Sequence, residues 1–185
     1  QSIDYILYLL DRLKKNINVK ILIVDDSRFY RKIIRDLLQI HQFQTVEASN
    51  GAEALDLLNE HKDIVMVITD YNMPEMNGFE LVRQIRTTHS QDELSIIGLS
   101  TEGNSNMSAQ FIKSGANDFL NKPFGNEEFY CRVTQAVVMM ENIQRILNLS
   151  NRDPMTDLYN RRFFFETAHK MFASVRRKQI EISIS

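Results

Sequence analysis

The chain has 185 residues, 43% hydrophobic and 25% charged, with a net charge of −2, which suits one globular domain of about 100–150 residues plus an extension. Three Pro and six Gly exclude a collagen-like or disordered chain, and no apolar run approaches the roughly 18 residues of a membrane span. Residues 20–150 hold 12 basic and 18 acidic side chains, whereas residues 151–185 hold 7 basic and 4 acidic, so a boundary is expected near 150 and no nucleic-acid partner for the acidic part.

In chain order, residues 3–17 come first, an amphipathic helix with Ile3, Ile6, Leu7, Leu10, Leu13 and Ile17 on one side. Ile21-Leu22-Ile23-Val24 is an apolar run without alternation, the pattern of a strand buried on both faces. Helical spacing over 28–40 follows, then a strand at Phe43–Ala48 and a helix at Ala52–Leu58 after Asn50-Gly51. Ile64–Ile68 is the strongest strand, followed by a helix at Phe79–Ile85. Ile96–Leu99 and Asp118–Asn121 read as the last two strands, around a helix at 105–114, and a long helix starts near Asn126. Five such βα units predict an α/β fold: a doubly wound parallel sheet with helices on both faces.

In the long helix, Phe129, Val133, Ala136, Met140, Ile143 and Leu147 recur at alternating intervals of four and three. This is a coiled-coil seam, and it predicts self-association through the helix. Cys131, inside this helix, reads as a buried structural thiol; as the single cysteine it forms no internal disulfide. Gln1-Ser2-Ile3-Asp4 shows no secretory signal, so a cytoplasmic location without membrane contact is expected. His41, His61, His89 and His169 have no metal-ligand spacing between them.

The chemistry gathers at the C-terminal ends of the strands, where open α/β sheets bind ligands. Asp25-Asp26 follow the first strand and Asp70 the third; Ser100-Thr101 follow the fourth and Lys122 the fifth. Carboxylates ending an apolar strand are costly unless they are paired or hold a cation. Oxygen ligands without His or Cys suit Mg²⁺. A lysine and a hydroxyl beside them would neutralise a phosphoryl group held on a carboxylate.

Four segments, Ile21–Ser27, Ile68–Gly78, Gly98–Ser100 and Phe119–Phe124, resemble the receiver domain of two-component response regulators across residues 20–140. The resemblance implies a flavodoxin-like sheet of order 2-1-3-4-5. It implies phosphorylation on Asp70, with Asp25, Asp26, Asp70 and the carbonyl of Asn72 around Mg²⁺. Lys122 and Ser100 would contact the phosphoryl group, Phe119 would act as the aromatic switch, and Lys122-Pro123 would be cis. Phe119 stands where Tyr is frequent, so a readout through a phenol is lost. The implied partner is a histidine kinase or phosphotransfer protein.

Asp153-Pro154-Met155-Thr156-Asp157-Leu158-Tyr159-Asn160-Arg161-Arg162-Phe163-Phe164 is similar to the opening signature of diguanylate cyclase (GGDEF) domains. Residues 141–152 are then a helical linker and 153–185 the start of that domain, without its Gly-Gly-Asp-Glu-Phe motif. The implied parent is a cyclase making cyclic-di-GMP from GTP, incomplete here. Residues 1–19 read as the end of a preceding receiver or a private extension. Two rival functions fit less well. An aspartyl-phosphate phosphatase or mutase needs Asp-x-Asp after the first strand and finds Asp25-Asp26; a docking or dimerisation module that is never phosphorylated has no need of the intact acidic set.

Overall fold

The computed structural model describes residues 2–101 and 105–151, and beyond them 156, 158–160, 163–165 and 168. The elements are α1 (Ser2–Asn16), β1 (Lys20–Val24), α2 (Arg28–Ile40), β2 (Gln44–Ala48), α3 (Gly51–Glu60), β3 (Ile64–Asp70), α4 (Gly78–Arg86), β4 (Ser95–Ser100), α5 (Ser105–Ser114), β5 (Asp118–Asn121) and α6 (Asn126–Asn151). All strand pairs are parallel and the sheet order is β2-β1-β3-β4-β5, the order that the family resemblance implies.

Successive strand residues point to opposite faces. Leu22 and Val24 therefore join Val67, Leu81, Ile85, Ile96 and Phe111 in one apolar layer, while Ile21 and Ile23 join Met66, Ile68, Ile97, Leu99, Phe129 and Val133 in the other. Both layers are covered by helices, which is why the strands read as unbroken apolar runs. Side-chain caps start the helices: Ser27 for α2, Asn50 for α3, and Asn77 with Glu80 as a reciprocal capping box for α4. Gly98 is required in β4, because a methyl group there would lie 2.5 Å from Cδ1 of the buried Phe111 ring.

The last turn of α1 is fastened to the sheet. Asn16 Nδ2 donates to the His41 carbonyl at 2.9 Å, and Gln44 Nε2 donates to the Ile17 carbonyl at 2.7 Å. Arg12 and Asn16 are buried, whereas Ile3, Ile6, Leu7, Leu10 and Ile17 are exposed.

Two expectations for α6 need correction. Phe129, Val133 and Met140 are 2%, 0% and 7% exposed, and Phe129 and Val133 belong to the core with Val137. The helical repeat turns this stripe onto the chain's own sheet, so half of the six-residue seam is already covered. The residues left open to another molecule include Met139, Ile146 and Leu147. Cys131 is exposed rather than buried, because two residues past Phe129 the helix has turned by about 200°.

The chain divides into two compact units, Gln1–Met140 and Glu141–Ser185. Half of the cyclase-like signature, residues 153–155, 157, 161 and 162, lies outside the described residues. Within it, Asn160 Oδ1 accepts the Phe163 N–H at 2.9 Å and Tyr159 stacks on Phe163 at 4.1 Å. Among the described residues, no helix is long and apolar enough to cross a membrane.

Candidate functional site

The strand order reverses at β1, between β2 and β3, and the site forms where β1 and β3 end. Val24 pairs with Thr69, so Asp25 and Asp70 emerge side by side. On the other side of β3, Ser100 ends β4 in register with Asn121, and the Lys122 N–H donates to the Ser100 carbonyl at 2.7 Å. This brings the lysine back over the carboxylates. Its Nζ donates to Asp25 Oδ2 at 2.5 Å and to Asp70 Oδ1 at 2.7 Å, and all three side chains are buried.

Each carboxylate is fixed in the same way on its second oxygen. Asp25 Oδ1 accepts the Ser27 N–H and Asp70 Oδ2 accepts the Asn72 N–H, both at 2.8 Å. These local bonds lock the side chains against rotation. Asp26 is exposed, yet Asp25, Asp26 and Asp70 each place an oxygen within 4.8 Å of the others. Arg31 secures the connecting loop through its Nη1, which donates to the carbonyls of Asp25 at 2.7 Å and Asp26 at 3.2 Å.

Burial pushes the Asp25 carboxyl above the ordinary carboxylate range; the Lys122 hydrogen bond and charge oppose this, and the Asp70 charge adds to it. One ammonium cannot neutralise three carboxylates, so the site retains negative charge. The donor set is oxygen only, with two buried carboxylates, one exposed carboxylate and the exposed Asn72 beside them. That set fits a small hard cation that keeps part of its water shell.

The sequence-derived residues Asp25, Asp26, Asp70, Asn72, Ser100 and Lys122 thus converge, and Lys122-Pro123 is cis. Phe119 packs in an aromatic cluster. It is half-buried against Phe111 at 5.4 Å, in a chain of rings that continues through Phe79 at 4.6 Å to Tyr71 at 4.7 Å. Sequence reasoning missed Tyr30, whose ring centroid lies 4.0 Å from Lys122 Nζ. An aromatic in the first turn of a helix carries no pattern that marks it.

The response regulator receiver domain family matches residues 21–134. The chemotaxis protein CheY homolog of Campylobacter jejuni is 41% identical over 107 residues, 57% of this chain and 82% of that protein. Chemotaxis protein CheY1 of Helicobacter pylori is 40% identical over 107 residues, 57% of this chain and 86% of its own length. A crystal structure described as a two-component system response regulator/GGDEF domain protein is 42% identical, with a TM-score of 0.72, over 76% of this chain; this chain spans 57% of its length. The receiver domain of Ssk1 from Saccharomyces cerevisiae, solved with the histidine phosphotransfer protein Ypd1, is 25% identical with a TM-score of 0.60, over 66% of this chain and 90% of that one. With the family matched across the whole sheet and its acidic pocket, the chain belongs to the response regulator receiver family.

Proposed function

We propose that the chain accepts a phosphoryl group on Asp70 and passes that state to a diguanylate cyclase domain at its C-terminus. The observation that carries this reading is the Lys122 ammonium held at 2.5 Å from Asp25 and 2.7 Å from Asp70, beside a third carboxylate. The donor is the phosphohistidine of a histidine kinase or phosphotransfer protein. An Asp70 oxygen attacks phosphorus, a P–O bond forms, and the P–N bond breaks with its electron pair going to the imidazole. Lys122 turns from the Asp70 carboxylate to the transferred oxygens, and the Ser100 hydroxyl donates to them. Asp25, Asp26, Asp70 and the Asn72 carbonyl would hold Mg²⁺, which supplies neutralisation of the phosphoryl charge.

The likeness to a response regulator/GGDEF protein supports the cyclase output, as does the signature from Asp153 to Phe164. The product of the whole protein is then cyclic-di-GMP made from GTP in the cytoplasm. A dimer brings two such domains together, and the exposed Met139, Ile146 and Leu147 of α6 offer apolar contacts for it.

Intact-mass measurement with Mg²⁺ and acetyl phosphate tests the acceptor. The chain should gain one base-labile phosphoryl group, and Asp70→Asn should gain none, because an amide is a poor nucleophile. Labelling that persists in Asp70→Asn refutes the assignment.

A further inference from the structure

Lys122 is held from two sides, and only one of them is acidic. An ammonium has three N–H donors; Asp25 and Asp70 accept two. The Tyr30 ring, 4.0 Å away, covers the group from another side. Tyr30 is set by the same turn that sets the metal-facing carboxylate. Ser27 caps α2 with its Oγ 3.5 Å from the Tyr30 N–H, while its own N–H binds Asp25 Oδ1 at 2.8 Å. Phe29 braces the ring edge-on, with centroids 5.7 Å apart and planes at 72°.

We infer that Tyr30 is a positioning residue for phosphoryl transfer, its ring face holding the Lys122 ammonium over Asp70. This rests on the reading of Asp70 as the acceptor. The physical reason is the kind of attraction a ring offers. Its negative face draws the cation without a lone pair that would capture a proton or a directed bond. A carboxylate in that place would pull Lys122 away from Asp70, and water would hydrate it. The ring leaves the ammonium free to tip from the Asp70 carboxylate toward phosphoryl oxygens while keeping it in reach.

The test compares Tyr30→Phe, which keeps the ring face, with Tyr30→Leu and Tyr30→Met, which keep apolar bulk without it. The first readout is metal-free: proton NMR of the Lys122 ε-methylene, which the ring current shifts upfield in the wild type and in Tyr30→Phe but not in the other two. The second is the rate of phosphorylation by acetyl phosphate with Mg²⁺. Tyr30→Phe should match the wild type, and Tyr30→Leu and Tyr30→Met should be slower by roughly 2- to 30-fold, the span of cation–π contacts. Thermal melts identify a variant that has lost its fold, and the second aliphatic variant then decides. Equal rates in the folded Phe and aliphatic variants overturn the role of Tyr30 while Asp70 stands as acceptor. A wild type that takes no phosphoryl group overturns the acceptor reading itself, and the role of Tyr30 with it.

Discussion

Arg86 Nη2 donates to Asn117 Oδ1 at 2.8 Å, and the same oxygen accepts the backbone N–H of Ile96 at 2.9 Å. The guanidinium also reaches the carbonyls of Gly115 at 2.8 Å and Leu94 at 2.9 Å. One side chain at the end of α4 therefore ties together the start of β4 and the turn into β5. Arg86→Lys cannot serve these diverging acceptors. It should lower stability by about 2–3 kcal/mol, the scale of lost hydrogen bonds to a charged group. Urea denaturation checks this, and Mg²⁺ affinity should be unchanged because the substitution lies away from the carboxylates.

Asp26 and Lys122 should behave in opposite ways. Asp26 is exposed, so Asp26→Ala should keep the fold and weaken Mg²⁺ binding by about 10-fold or more, on the scale of losing a supporting interaction at a metal site. Lys122→Met leaves two buried carboxylates without their cation, which should cost about 3–5 kcal/mol in metal-free protein. Mg²⁺ should recover much of that loss and bind at least as tightly as to the wild type, since a competing cation is gone. Calorimetric titration with Mg²⁺ and melts at several Mg²⁺ concentrations separate the two.

Asp25 should give Mg²⁺ binding at the acidic pocket a pH dependence. Its carboxyl is pushed up by burial, so the folded state holds this proton more tightly than the unfolded chain does. The contribution to metal-free stability is present below the ordinary Asp value of 3.8 and is lost as pH rises through the raised folded value. Cation binding needs the ionised form. Mg²⁺ affinity should therefore fall on acidification through the raised Asp25 value, and Asp25→Asn should flatten that dependence in a titration series.

The Phe111 ring occupies the space that a side chain at Gly98 would fill. Gly98→Ala should cost about 1–3 kcal/mol through overpacking. Pairing it with Phe111→Leu should return part of the loss, because the smaller side chain makes room. A double-mutant cycle by urea denaturation measures the coupling, which should be clearly non-zero.

On α6 the two faces should give different phenotypes. Val133→Lys places a charge in the core beside Phe129 and should unfold the sheet unit. Ile146→Lys or Met139→Lys alters only exposed positions; each should preserve the melt and weaken self-association in sedimentation, with the larger effect when a beryllium fluoride adduct occupies Asp70.

Much of this molecule was written plainly in the chain. Unbroken apolar runs followed by Asp25-Asp26, Asp70, Ser100 and Lys122 encode both the two-sided burial of the sheet and the residues at its C-terminal edge, because both follow from strand periodicity. The faces of α6 were less legible. A stripe such as Phe129, Val133 and Met140 looks the same whether it meets another chain or its own sheet, and only the assembled layers decide. The exposure of Cys131 is hidden for the same reason. Tyr30 had no signal, since its role depends on a lysine that is distant in sequence and arrives from β5.

The exposed thiol has a practical consequence. Cys131 is the single cysteine in a sequence with no tryptophan, so a maleimide fluorophore attaches at one position and is read without indole background. That position lines a groove of about 640 Å³ with Leu9 and Leu13 of α1 and Ile40, His41 and Tyr130. A polarity-sensitive dye coupled there becomes a reporter of whether the N-terminal helix stays seated, and its emission can be followed in the same cuvette as Mg²⁺ or a phosphoryl donor is added.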